Sequence, residues 1–155
     1  TGNNANNQLS GANGNDTLRG GMGNDTVNGG SGNDIFQFGR GEGQDLVRDN
    51  SGNADKILYD AGINPLDLVI SRQVNDLRIA IHGSTDSVSV QSWYSSSSNR
   101  TETIQAGNGQ TLLSTQVDQL IQAMAGFTSQ TGLTWDQAIS QRPQDVQTAL
   151  AASWQ

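Results

Sequence analysis

In the first third of the chain, large apolar residues stand nine apart: Leu9, Leu18, Val27 and Phe36. One apolar residue per nine cannot line a helix face, which needs three or four in two turns. The spacing fits a turn followed by a short extended segment with one inward side chain. Val47 and Ile57 continue the series at slightly longer intervals. From Asp60 the pattern changes. Leu66-Asp67-Leu68-Val69-Ile70, Asp76–Ile81, Ser87–Gln91 and Glu102–Gln105 read as strands, with turns at Asn75-Asp76 and Asn108-Gly109. From Thr115 to Ala125 the period becomes helical, with Thr115 and Asp118 as a start signal and Val117, Leu120, Ile121 and Met124 on one face. A second helix is expected from Thr134, with Trp135 and Ile139 inward. A third follows Pro143, with Val146, Ala149, Leu150 and Trp154 on one stripe. Three segments result: a repeat region over 1–60, a β-rich cap over 61–113 and a helical flank over 114–155.

The residues between the apolar positions repeat as well. GANGNDTLR (11–19), GGMGNDTVN (20–28) and GGSGNDIFQ (29–37) share Gly at the first and fourth places and Asp at the sixth: Asp16, Asp25 and Asp34. GNNANNQLS (2–10) precedes them with Asn7 in place of Asp. Phe38 and Gly39 interrupt the series, RGEGQDLVR (40–48) resumes it with Asp45, and a fainter NSGNADKIL (50–58) supplies Asp55. Glycine lets the turn bend and lets backbone carbonyls converge. Two units make one coil, so turns two units apart stack at the strand spacing of about 4.8 Å. That brings Asp16 to Asp34, Asp25 to Asp45 and Asp34 to Asp55, with Asn7 and Asp25 as a weaker pair. A hard divalent cation relieves the repulsion by taking oxygen ligands at about 2.3–2.6 Å. Calcium suits a flexible, carbonyl-rich shell better than magnesium, and about two to four ions are expected. The carbonyls of Gly11, Asn13, Gly20, Met22, Gly30 and Gly32 are the candidates to complete the shells. The alternative is a disordered Gly/Asn-rich linker, against which three tandem copies in register weigh.

Composition agrees with cation binding. The chain has 155 residues, 15 Asp and Glu against 8 Lys and Arg, and a net charge of −7. That opposes binding to nucleic acid or an anionic membrane surface. There is no Cys, hence no disulfide or thiolate metal site, and no apolar run long enough to span a membrane. Thr1 falls inside a repeat, as expected of a C-terminal piece of a longer protein. His82 is the only His, so neither a catalytic triad nor a zinc site is indicated, and no enzymatic activity is expected. Trp93-Tyr94 ends a strand; packing against the repeats is the favoured role and sugar stacking the other.

The GGxGxDxUx pattern of these units resembles the calcium-binding repeat of the RTX (repeats-in-toxin) family. IFQFGRGEGQD (35–45), DLRIAI (76–81), DSVSVQSWY (86–94), VDQLIQAMA (117–125) and LAASW (150–154) extend the resemblance over nearly the whole chain, most closely to the last block of adenylate cyclase toxins and its cap. Asn7 and Arg40 depart from the motif. The resemblance implies a mainly β fold: a calcium-stacked parallel β-roll (β-helix), then a β-hairpin cap and two or three short C-terminal α-helices. It implies a secreted, extracellular, monomeric module, exported by the type I secretion apparatus through a signal within about residues 114–155. It also implies a module unfolded at low calcium that folds outside the cell, the cap nucleating folding. A carbohydrate-binding module or an adhesin terminus are the other readings. What stands upstream (toxin, adhesin, protease or lipase) is not written in these repeats.

Overall fold

In the computed structural model, which describes residues 1–155, the turns hand over to strands close to their aspartates. β2 (Thr17–Arg19), β3 (Thr26–Ser31), β4 (Ile35–Phe38) and β6 (Lys56–Tyr59) each begin one residue after Asp16, Asp25, Asp34 and Asp55. β1 (Gln8–Asn13) follows Asn7, and β5 (Gln44–Arg48) contains Asp45. The chain crosses between two sheets at every turn. β1, β3 and β5 lie side by side in one; β2, β4 and β6 lie in the other; all of these pairings are parallel. Register aligns Leu9, Val27 and Val47 in one column and Leu18, Phe36 and Ile57 in the other. Val27, Phe36, Val47 and Ile57 are fully buried between the sheets, as the spacing predicted.

The cap departs from simple antiparallel hairpins. β7 (Leu68–Gln73), β8 (Asp76–Ile81) and β9 (Ser87–Val90) form an antiparallel meander, and β10 (Thr103–Gln105) pairs antiparallel with β11 (Thr111–Leu113). Yet β9 also pairs parallel with β5, and β10 parallel with β6. Val90 therefore continues the Val47 column and Ile104 the Ile57 column. The cap adds one more coil to the stack before the chain reverses. Alternation shows that Ser87–Val90 is a strand but not which neighbour it meets.

Smaller differences have local causes. The strand expected from Leu66 starts at Leu68, because Pro65–Asp67 form a 3₁₀ turn in which Asn64 N–H donates to Asp67 Oδ2 at 2.8 Å. Ser114–Gln116 are likewise 3₁₀, so the first helix, α1 (Val117–Thr131), starts later than Thr115 and has no side-chain cap. It runs on to Gly132, whose φ of 72° ends it. α2 (Trp135–Gln141) opens on a reciprocal cap, Gln137 N–H to Thr134 Oγ1 at 3.2 Å and Thr134 N–H to Gln137 Oε1 at 2.9 Å. α3 (Pro143–Ala151) starts at its proline. Val117, Leu120, Met124, Trp135, Ile139, Val146, Leu150 and Trp154 join one core cluster that runs from Leu18 through the cap. At the chain end Gln155 exchanges both backbone hydrogen bonds with Thr111, covering the free edge of β11. No helix is long and apolar enough to cross a membrane.

Candidate metal centre

The sixth position of each unit faces the turn two units on, and the aspartates are linked directly. Asp16 N–H donates to Asp34 Oδ1 at 2.9 Å, and Asp34 N–H to Asp55 Oδ1 at 2.6 Å. In the other column Asn7 N–H donates to Asp25 Oδ1 at 2.7 Å and Asp25 N–H to Asp45 Oδ1 at 2.9 Å. The structure thus brings together all the pairs that the repeat spacing suggests. The carboxylates of Asp25, Asp34, Asp45 and Asp55 each spend one oxygen on this ladder, which Asp16 enters through its N–H alone. Oδ2 of Asp16, Asp25 and Asp34 is buried without a partner. A buried carboxylate oxygen with no partner carries a large desolvation penalty. No Lys, Arg or His forms an ion pair with these aspartates; the chain's ion pairs are Arg19 with Glu42 and Asp60, Arg40 with Asp67, His82 with Asp136, and Arg142 with Asp145.

Burial and like charge act on the protons. Burial first, and then the charges of Asp25, Glu42 and Asp86, push Asp45 up to about 7 against the pull of the Asp25 N–H. Burial also raises Asp55, with Glu102 and Asp34 adding to it and the Asp34 N–H opposing. Asp86 moves the other way. Burial alone would raise it, but the N–H groups of Gly41 and Gly43, the Ser84 hydroxyl and Arg40 together hold it below the usual carboxylate range.

Backbone oxygens stand close to these carboxylates. A β-carbon on Gly20 would run into the Asp25 carboxylate, and one on Gly30, at φ 99°, into the Ala12 carbonyl of the adjacent turn. No three His, Cys, Asp or Glu side chains converge as a metal-binding set by themselves, so an ion here would draw on carbonyls as well. Hard oxygens, unpartnered and uncompensated, fit a hard divalent cation. Of the expected carbonyl donors, those of Gly20 and Gly32 abut Gly2 and Gly52 across the stack, while that of Gly30 accepts from Ser51 Oγ at 2.7 Å. Gly11 backs onto the Asp16 carboxylate, Asn13 ends β1 opposite Ser31, and Met22 is half exposed.

Three features escape the spacing argument. Position five carries a neutral ladder: Asn33 N–H to Asn15 Oδ1 at 2.9 Å, Asn53 N–H to Asn33 Oδ1 at 3.2 Å, Asn24 N–H to Asn6 Oδ1 at 2.8 Å and Gln44 N–H to Asn24 Oδ1 at 2.9 Å. Its signal is the recurring Asn before Asp. Glu102, just before β10, extends the first aspartate column by accepting from Asp55 N–H at 2.9 Å. Asp86, just before β9, accepts from Gly41 and Gly43 N–H at 2.8 and 3.1 Å. Glu102 thus stands where a repeat would have its aspartate, whereas Asp86 meets the turn at Gly43, two residues before Asp45. Finally, the faint last copy shifts. Asn53 lies on Asn33 and Gly52 beside Gly32, so its turn opens at Asp49 and Ala54 is the inserted residue. Asp49 takes the place of the first glycine. Burial first, then the charges of Asp55, Glu102 and Asp34, push it up to about 8.

Trp93 is 1% exposed and belongs to the core, and Arg72 lies 4.2 Å over the Tyr94 ring, whose hydroxyl donates to Asp118. The aromatic pair is therefore packed, and Trp93 offers no surface for stacking. His82 ties the turn before β9 to α2, its Nδ1 2.8 Å from Asp136 Oδ1 and its Nε2 3.4 Å from Ser140 Oγ.

Two parallel columns of glycine-rich turns, each burying an aspartate, define a repeat built around cations. Residues 1–36 match the family model of the RTX calcium-binding nonapeptide repeat in 4 copies, and residues 76–115 match that of the haemolysin-type calcium-binding protein related domain. The two matches support placing the chain among RTX proteins. Four nine-residue copies fill the first match, so the unit around Asn7 counts as one of them.

Proposed function

We propose that residues 1–60 form a calcium-stacked parallel β-roll, and that the chain is a calcium-binding module of a secreted protein, unfolded where calcium is scarce and folded where it is plentiful. One observation carries the reading: Asp16, Asp25 and Asp34 each leave one buried carboxylate oxygen unpartnered, and no cationic side chain pairs with them. Asp16 with Asp34, Asp25 with Asp45, and Asp34 with Asp55 would hold the ions together with backbone carbonyls of the turns. Bound calcium supplies the positive charge that the stack lacks. Without it the repeats gain one inward apolar residue per unit, set against the repulsion and desolvation of their aspartates. Binding to the folded state alone adds about 2.7 kcal/mol per site when calcium stands at a hundred times its Kd. The cap gives the stack an end to grow from, since β9 and β10 already carry the next rung of both columns.

By resemblance we extend this to export. Residues 114–155 would leave first through a type I apparatus, and folding of the roll outside would hinder its return. No catalytic role is proposed for the segment, His82 serving to join hairpin and helix. The binding reading is tested by calorimetric titration of the chain with calcium. About two to four ions per chain are expected; a flat titration would refute the reading.

A further inference from the structure

We propose that the cavity between the 3₁₀ turn at Pro65–Asp67, the turn joining β10 to β11 and the later half of α3 binds a neutral saccharide. None of the repeat aspartates lines it, so the site does not rest on the calcium reading.

The cavity measures about 480 Å³, within the roughly 300–1,000 Å³ of small-molecule sites. Of its nine lining residues, four are carboxamides: Asn64, Asn108, Gln110 and Gln147. None is charged. Two of the amides brace each other across the hairpin turn. Asn108 Nδ2 donates to Gln110 Oε1 at 2.7 Å, and Gln110 N–H donates to Asn108 Oδ1 at 3.0 Å. Both N–H bonds of the Gln110 amide, and the second of the Asn108 amide, are left for another acceptor. Trp154 also lines the cavity; it is 3% exposed, and its Nε1–H is buried without a partner. Its backbone is fixed on both sides, its N–H donating to the Leu150 carbonyl at 2.9 Å and the next residue, Gln155, pairing with Thr111. A buried N–H with no acceptor carries a cost that an oxygen-bearing occupant relieves.

The lining selects a ligand by what it offers and what it lacks. With no Lys or Arg in the wall and a net charge of −7, an anion is disfavoured. With no carboxylate in the wall, nothing pairs with a cation. A wholly apolar occupant would strand the amide N–H groups. A planar aromatic ligand finds no open ring to stack on, since Trp154 is buried. An extended peptide adds to a free sheet edge, and that of β11 is covered by Gln155. A compact, hydroxyl-rich ring meets every condition. Its hydroxyls accept from and donate to carboxamides, and its C–H groups pack on Leu66 and Leu150 of the same wall. A free sugar and the end of a glycan share this chemistry. The groove at Arg72, Tyr94 and Asp118 differs: it is charged, the Tyr94 hydroxyl is spent on Asp118 at 3.0 Å, and Arg72 covers the ring.

Heteronuclear NMR of the full chain in saturating calcium tests the site. The probes are glucose, galactose and N-acetylglucosamine, each free and as its methyl glycoside, which is blocked like the end of a glycan. Trp154→Phe assigns the indole signal. At least one sugar is expected to shift the Trp154 indole N–H and the Gln110 side-chain amide saturably, with a roughly millimolar Kd. A response to the methyl glycosides marks a glycan end as the source, and a response to the free forms alone marks a free sugar. Gln110→Ala should weaken binding about fivefold. Ala151→Trp, at an exposed position of the wall, should fill the cavity and abolish the shifts. Both variants should keep the calcium midpoint of the unsubstituted chain. No saturable shift with any of these sugars, or shifts that survive both substitutions, would overturn the site. Shifts with N-acetyl-triglycine amide and with no sugar would assign the cavity to a peptide and overturn the saccharide.

Discussion

The repeat region and the cap share one pair of sheets but bury different chemistry. β2, β3 and β5 each bury a single large apolar side chain, Leu18, Val27 and Val47, whereas β8 alone buries Leu77, Ile79 and Ile81 and packs beside Leu68 and Ile70 of β7. The buried carboxylates are distributed the opposite way: Asp25, Asp34, Asp45, Asp49 and Asp55 all precede residue 60, and in the cap only Asp86 is buried, satisfied by two backbone N–H groups. A buried Leu or Ile contributes about 1.5–3 kcal/mol, so the cap can close on its apolar surface. The repeat strands bury fewer such residues, one in each of β2, β3 and β5 and two in each of β4 and β6, beside an uncompensated charge, and on the proposed reading they depend on cations and on a neighbour to stack upon. On that reading, contiguous parallel strands conceal a change from ionic to apolar cohesion near residue 60.

The harshest way to break this comparison is to separate the halves. Residues 1–59 alone are expected to show no calcium-induced β signal, a complete loss, because nothing offers the β9 and β10 rungs; an undiminished signal in the fragment would show that the cap is dispensable. Next comes an apolar deletion in the cap. Ile79→Ala should cost about 2–5 kcal/mol, read as a lower thermal midpoint in saturating calcium, with the ion count unchanged. Asp34→Asn should do the reverse. Asp34 belongs to two rungs, one with Asp16 and one with Asp55, so the calcium midpoint should rise about tenfold or more, each tenfold being about 1.4 kcal/mol. A midpoint moved more by Ile79→Ala than by Asp34→Asn would erase the contrast.

Acidity probes the same difference less strongly. Asp45 at about 7 and Asp49 at about 8 in the folded chain lie above the unfolded aspartate value of about 3.9. The folded, ion-free state therefore binds more protons than the unfolded one. Its stability falls as pH rises from about 4 through 7 to 8 and is flat above. Calcium should consequently widen the gap in thermal midpoint more at about pH 8 than at about pH 5.5, where protons already neutralise the column. An equal gap at both would place the charge effect elsewhere. The smallest expected change is a gain: Asn7→Asp puts a carboxylate opposite Asp25, joined to it already through Asn7 N–H, and should lower the calcium midpoint a few-fold (under 1.4 kcal/mol).

Much of this could be read from the chain because the repeat is its own alignment. Nine-residue spacing placed Leu18, Val27 and Phe36 in the core and paired Asp16 with Asp34 without any structure. Helix stripes placed Val117, Leu120, Val146 and Leu150 correctly, since each helix packs one face on a core. What stayed hidden depended on pairing between distant segments. Ser87–Val90 alternates whether its neighbour runs parallel or antiparallel, so the extra coil in the cap was not legible. Glu102 looks like an ordinary surface glutamate until β10 is laid on β6. Asp49 was obscured by Ala54, whose insertion moved the apparent start of the last copy by one residue.

On the proposed function, calcium is a condition of folding for the repeats rather than an ornament on a finished fold. Far-UV circular dichroism of the full chain, starting in chelator and titrated with calcium beside a magnesium control, tests it most directly. A cooperative gain of β signal is expected with calcium and none with magnesium. A chain that shows its full β signal in chelator, unchanged by calcium, would contradict it.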